Sequence, residues 1–179
     1  MAVAFVVETG AGLSNATSYV SVEEARDYIS IKPANAKWDD LTDEQVEAFL
    51  MWATRLLDQR AFYYGHKAVD SSALRWPRAG VVDRDGVSVP YDTIPEPIKD
   101  AVVEIAYFLC TQSIDPSTGL PQTAGAIKSI KADVVEIVYD SGRYQDPTFF
   151  PIGLNDLLLG YGSMPTSTTG SSFGRVVRA

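Results

Sequence analysis

Two apolar stripes at helical spacing constrain what this chain can fold into. Val46, Phe49, Leu50, Ala53, Leu56 and Leu57 recur at steps of three and four residues, which places them on one side of a helix from about Asp43 to Arg60. Ile98, Ala101, Val102, Ile105, Ala106 and Leu109 repeat the spacing in a second long helix that ends near Gln112. Each stripe must be buried, so the two long helices should pack together. The flanking residues agree. Thr42-Asp-Glu-Gln45 has capping-box spacing, and Pro95 and Pro97 sit where a helix can begin without losing a hydrogen bond.

Ser21-Val-Glu-Glu24 is another capping box and predicts a short helix to about Tyr28. Met1 to Val7 is apolar and reads as a first strand, followed by a loop of small and polar residues through Gly10 and Gly12 to Tyr19. Lys32 to Asp40 carries Pro33 and no period, so a loop is expected. Asp85-Gly86 lies between the apolar pairs Val81-Val82 and Val87-Val89 and predicts a small hairpin. Ile114 to Pro121 is turn chemistry. Ile127 to Tyr139, with its β-branched run Val134 to Val138, reads as one long strand or two. The expected fold is mainly α with a β extension. One domain, residues 1–162, would hold a helical core of two long and two short helices at about 20–112, a strand-rich arm at about 114–148, and a short C-terminal helix at about 152–159. Residues 163–179, rich in Gly, Ser and Thr, would form an extended flexible tail.

Composition removes several kinds of chemistry. One cysteine, Cys110, and one histidine, His66, cannot form a disulfide or a thiolate metal site, so neither a metal nor a cofactor is expected. No apolar run approaches the ~20 residues of a membrane span, and the opening segment lacks the positive charge of a secretory signal. Gly10-Ala-Gly12 has Asn15 where a dinucleotide fingerprint needs a third glycine, and no βαβ pattern follows it. The carboxylate pairs Asp39-Asp40, Asp43-Glu44 and Asp83 with Asp85 fall at helix starts or turns, where capping explains them. No nucleophile with a base can be named, so an enzyme is not expected. The net charge of -8 opposes non-specific binding to nucleic acid, although residues 55–84 are weakly positive.

One constellation stands out. Leu74-Arg-Trp-Pro-Arg-Ala-Gly80 sets two guanidinium groups about a Trp-Pro step, and these residue types dominate protein interfaces and also grip single-stranded nucleic acid. The competing expectation is that Trp76 plugs the helix pair while Arg75 and Arg78 cap helix ends or pair with acids.

Gly12-Leu13, Ala16, Ser18-Tyr19-Val20, Ala25 and Tyr28, Ala53-Thr-Arg-Leu-Leu-Asp58, Leu74-Arg-Trp-Pro-Arg78, and Ile94-Pro95 with Ile98 and Ala101 occur in an order that resembles head-to-tail adaptor proteins of tailed bacteriophages. Many such sequences carry a DnaT-like single-stranded-DNA-binding family label. The resemblance covers roughly residues 4–160. It implies a virion structural protein, made in the host cytoplasm, that forms a dodecameric ring between the portal and the tail or neck proteins. Genomic double-stranded DNA would pass through the lumen without specific binding, and no membrane or catalytic residue is involved. A ring requires a heterologous interface between copies. Candidates for it and for the other contacts are Arg75, Trp76, Arg78, Tyr139, Phe149, Phe150, Phe173, Arg175 and Arg178. The first alternative is a genuine single-stranded-DNA-binding protein that uses the stretch Arg55 to Arg84, with Phe62, Tyr63, Tyr64 and Trp76 as stacking groups. A virion-carried cell-wall hydrolase is a remote second.

Overall fold

The computed structural model describes residues 3–33, 35–111 and 153–164, together with the strand residues 114–115, 120–121, 129–132 and 135–138. Its helices are α1 (Val22–Ser30), α2 (Ala36–Asp39), α3 (Asp43–Arg60), α4 (Glu96–Thr111) and α5 (Leu154–Leu157). Its strands are β1 (Phe62–Tyr63), β2 (His66–Lys67), β3 (Arg78–Ala79), β4 (Ile114–Asp115), β5 (Leu120–Pro121), β6 (Ser129–Ala132), β7 (Val135–Val138) and β8 (Gly162–Ser163). The fold is mainly α with small β components, as the periodicity requires.

Both capping boxes form. Ser21 Oγ accepts from Glu24 N while the Glu24 carboxylate accepts from Ser21 N, and Thr42 and Gln45 make the same exchange at α3. These bonds satisfy backbone donors that an uncapped first turn leaves open. The stripes of α3 and α4 then pack along each other, with Val46, Leu50, Ala53 and Leu57 facing Ile98, Ala101, Val102, Ile105 and Leu109 in one buried core. Helix α1 lies against both and contributes Ala25 and Ile29. Its link to α4 is also polar: Tyr28 Oη donates to Glu104 at 2.8 Å, Lys32 meets the other oxygen of that carboxylate at 2.6 Å, and Lys99 pairs with Glu24 at 2.8 Å.

Two expectations need correction. The predicted loop at 32–40 contains α2, because Trp38 is fully buried and stands 6.3 Å from the Tyr107 ring of α4. A lone aromatic anchor has no period to detect. The predicted first strand is reduced to one parallel bridge, Val7 with Ser18, since among the described residues its partner is the short segment before α1. The stretch 114–121, where the strand-rich arm is expected to begin, holds an antiparallel pair around its turn, Ile114 with Pro121 and Asp115 with Leu120. The hairpin around Gly86 does form as a bridge between Val82 and Ser88.

The chain divides into two units. The first comprises Met1–Gln122 and Phe150–Pro165, and the second Thr123–Phe149 and Thr166–Ala179. In the second, β6 and β7 pair as an antiparallel hairpin from Ser129↔Val138 to Ala132↔Val135, resolving the ambiguity of one strand or two. In the first, the chain returns through α5, whose Leu154 is buried with Leu158 just after it, and lays β8 antiparallel on β1. Met164 is buried as well, so the body extends past the boundary expected at residue 162.

Gly10 and Gly12 have a specific task. Glu8 is almost wholly buried, and its carboxylate accepts from Gly10 N, Gly12 N and Leu13 N at 2.8–2.9 Å. Consecutive amides curled around an anion form a nest, here filled by the chain's own side chain. The curl needs φ of +99° and +73° at the two glycines, and a Cβ on Gly10 would stand 1.9 Å from Asp92 O. The resemblance to a phosphate-binding fingerprint thus has a physical basis, but the anion is internal.

Candidate nucleic-acid interface

Helix α3 carries a second stripe. Ala48, Met51, Trp52, Arg55 and Gln59 follow helical spacing and fall roughly half a turn around the helix from the stripe buried on α4. They form one wall of an open groove of about 560 Å³. Val3 and Thr17 of the N-terminal segment and Ala73, Leu74 and Arg75 of the loop before β3 complete it. The lining is mainly apolar. Arg55 lies over the Trp52 ring, with its guanidinium carbon 5.6 Å from the ring centroid, a separation that allows cation–π attraction.

Asp58 sits on the floor and ties the walls together. Its Oδ1 accepts from Tyr19 Oη at 2.8 Å and Tyr63 Oη at 3.1 Å, and its Oδ2 accepts from Arg75 N at 3.0 Å. Tyr19 Oη in turn accepts from Arg75 N and Trp76 N, both at 3.0 Å. Burial pushes the Asp58 carboxyl above the usual carboxylate range, against the opposing pull of its donors and of Arg75. Burial and the Asp58 charge raise Tyr19 and Tyr63 far above the ordinary phenol range, so both remain hydroxyl donors.

The Arg-Trp-Pro-Arg step therefore divides. Trp76 is wholly buried, edge-on to Tyr63 at 5.9 Å and to Tyr161 at 6.2 Å. Arg78 is spent inside the body: Nε donates to Tyr64 O at 2.6 Å, Nη2 to Gly65 O at 2.8 Å and Nη1 to Arg75 O at 3.2 Å. Among the described residues it caps no helix and pairs with no acid; it stitches the β1–β2 turn to the loop before β3. Burial, then the neighbouring Arg75, lowers its pKa. Arg75 alone of the three is exposed, on the rim of the groove. Tyr139, Phe149, Phe150, Phe173, Arg175 and Arg178 lie outside the described residues.

Of the proposed stacking groups, Tyr63 turns inward to Asp58 and Trp76, whereas Phe62 and Tyr64 are exposed. Periodicity did not single out Trp52, Met51 or Asp58, because a search for one buried stripe discards the opposite face of the same helix. His66 is exposed on β2, and burial raises the Cys110 thiol, leaving no activated nucleophile there. Among the described residues no group of three or more His, Cys, Asp or Glu side chains could hold a metal ion, and no helix is long and apolar enough to cross a membrane.

Three segments that carried the sequence resemblance meet at one carboxylate: Ser18-Tyr19-Val20 through its phenol, Ala53 to Asp58 through the carboxylate, and Leu74 to Arg78 through the backbone N–H of Arg75. No curated protein and no solved structure matches the chain. A family described as "Putative DnaT-like ssDNA binding protein" matches residues 3–179, and the chain belongs to that family.

Proposed function

We propose that this chain binds single-stranded DNA in the groove along α3. The observation that carries the proposal is the meeting of Trp52 with two arginines, Arg55 from α3 and Arg75 from the facing loop, on one apolar groove. Strands without sequence preference are held by bases stacked on aromatic faces and by cations along the backbone. The family description supports the same activity. A net charge of -8 makes electrostatic attraction weak, so stacking and apolar contact must supply most of the affinity.

Fluorescence anisotropy with a labelled mixed-sequence oligonucleotide tests this. Trp52→Ala should weaken binding by about 1–3 kcal/mol. Removing Arg55 and Arg75 together should make the slope of log affinity against log salt shallower by about 1.4, two contacts at ~0.7 each. Affinity unchanged in these variants, or no binding by the parent chain, would overturn the proposal.

The same net charge favours a second function, the head-to-tail adaptor: a dodecameric ring on a phage portal, with a lumen that releases double-stranded DNA because it does not attract it. The chain then sits in the virion neck, contacts portal and tail proteins, and performs no catalysis. Gradient sedimentation with purified portal rings separates the two, since stoichiometric co-migration with the portal is expected of an adaptor alone.

A further inference from the structure

We infer that Val3 to Val7 is a docking edge for a second copy of this chain, which adds the same segment antiparallel and closes a symmetric pair. The inference is independent of both functions proposed above.

The hydrogen bonds of this segment alternate as in a strand. Ala4 O, Val6 N, Val6 O and Glu8 N all turn toward residues 17–18, where they meet Thr17 Oγ1, Thr17 N, Ser18 N and Ser18 O at 2.8–3.2 Å. The N–H and C=O groups of the odd-numbered residues therefore face the other way. Among the described residues the backbone groups of Val3, Phe5 and Val7 have no hydrogen-bond partner. Folded proteins usually blunt such an edge with lysine, proline or a bulge. Val3-Ala-Phe-Val-Val7 carries no charge and no proline, and its valines and phenylalanine favour strand pairing.

Charge identifies the occupant. The groove at the Val3 end is lined by Arg55 and Arg75 against the single acid Asp58, whereas a cavity of about 300 Å³ at the Val7 end is lined by Glu8, Glu24, Asp92 and Glu96 against Lys99. Antiparallel pairing sets the basic end of each copy beside the acidic end of the other, and parallel pairing would set like beside like. Centred on Phe5, the antiparallel register places Val3 opposite Val7 of the partner subunit and Phe5 opposite itself. All three are positions where both N–H···O bonds are exchanged, so no outward group of the segment is left over. The patch meets itself, and the assembly closes at two, unlike the heterologous contacts of a ring. The joint is short, which makes the dimer weak and reversible.

Analytical ultracentrifugation of the full chain over a concentration series should show a reversible monomer–dimer equilibrium and nothing larger. Phe5→Pro removes an outward N–H at the centre of the joint and should raise the dimer dissociation constant about tenfold or more; Phe5→Leu, which keeps that N–H, should not. Register is read by oxidation in a Cys110→Ala background, which removes the one native thiol. Phe5→Cys should cross-link two copies, since the paired Cα atoms stand about 5.5 Å apart, whereas Val3→Cys, more than about 7 Å from its counterpart, should not. A chain that stays monomeric up to about 1 mM would overturn the inference and leave the edge to a strand from a different protein. Larger species, a dimer that survives Phe5→Pro, or Val3→Cys cross-linking as fast as Phe5→Cys would overturn it as well.

Discussion

Trp76→Ala should destabilise the protein by about 3–5 kcal/mol, read as a shift of the urea midpoint at unchanged slope. The indole is fully buried and bounded by the rings of Tyr63 and Tyr161, which approach from β1 and from the turn before β8. Its loss opens a cavity where two distant parts of the chain meet, and neither two-residue strand can collapse to fill it. Against a typical total of about 5–15 kcal/mol, that is a large fraction of the stability. Trp52→Ala provides the control. Trp52 borders the open groove and is only half-buried, so its removal should shift the midpoint far less than Trp76→Ala while weakening DNA binding. Equal midpoint shifts for the two variants would contradict the division of labour between the tryptophans.

Glu8→Ala is expected to have the second largest effect, about 2–5 kcal/mol. The carboxylate is the acceptor for Gly10 N, Gly12 N and Leu13 N, and the first two of these bonds are buried. Alanine would leave those donors unpaired at about 1–3 kcal/mol each. Glu8→Gln keeps one oxygen but turns an NH2 group toward a backbone N–H, so roughly half of the loss should remain. The same denaturant series measures both. Glutamine indistinguishable from glutamate would mean that shape, not acceptance, holds the glycine loop.

The long-range order of the core was legible where a period repeats. Six positions on α4 and five of the six on α3 are buried as their spacing requires, and Phe49, the sixth on α3, is half-buried at the edge of the stripe. Capping boxes were legible because their chemistry is local, with partners three residues apart. What escaped depends on contacts distant in sequence. Tyr19, Asp58 and Arg75 stand 39 and 17 residues apart along the chain, and nothing in any one segment announces the others. Resemblance flagged all three segments without saying why they belong together; the hydrogen bonds at Asp58 supply the reason. Trp76 and Arg78 look like interface residues because their types are common at interfaces. A Trp-Pro-Arg step has the same composition whether it faces solvent or, as here, closes a core. Arg75, between Leu74 and Trp76, is the member left outside.

The late return of the chain has a consequence for biosynthesis. Leu154, Leu158 and Tyr161 cover surface on α4 and Trp76, and β8 supplies the partner strand of β1. A ribosome adding ~5–20 residues per second completes α4 several seconds before it reaches this closing segment. For that interval the nascent protein carries an uncovered apolar seam, and newly made copies crowded on one message could stick to each other there. Codon choice and chaperone supply between residues 112 and 153 therefore become determinants of yield, and a nonsense mutation just before α5 should give aggregates rather than a smaller soluble protein.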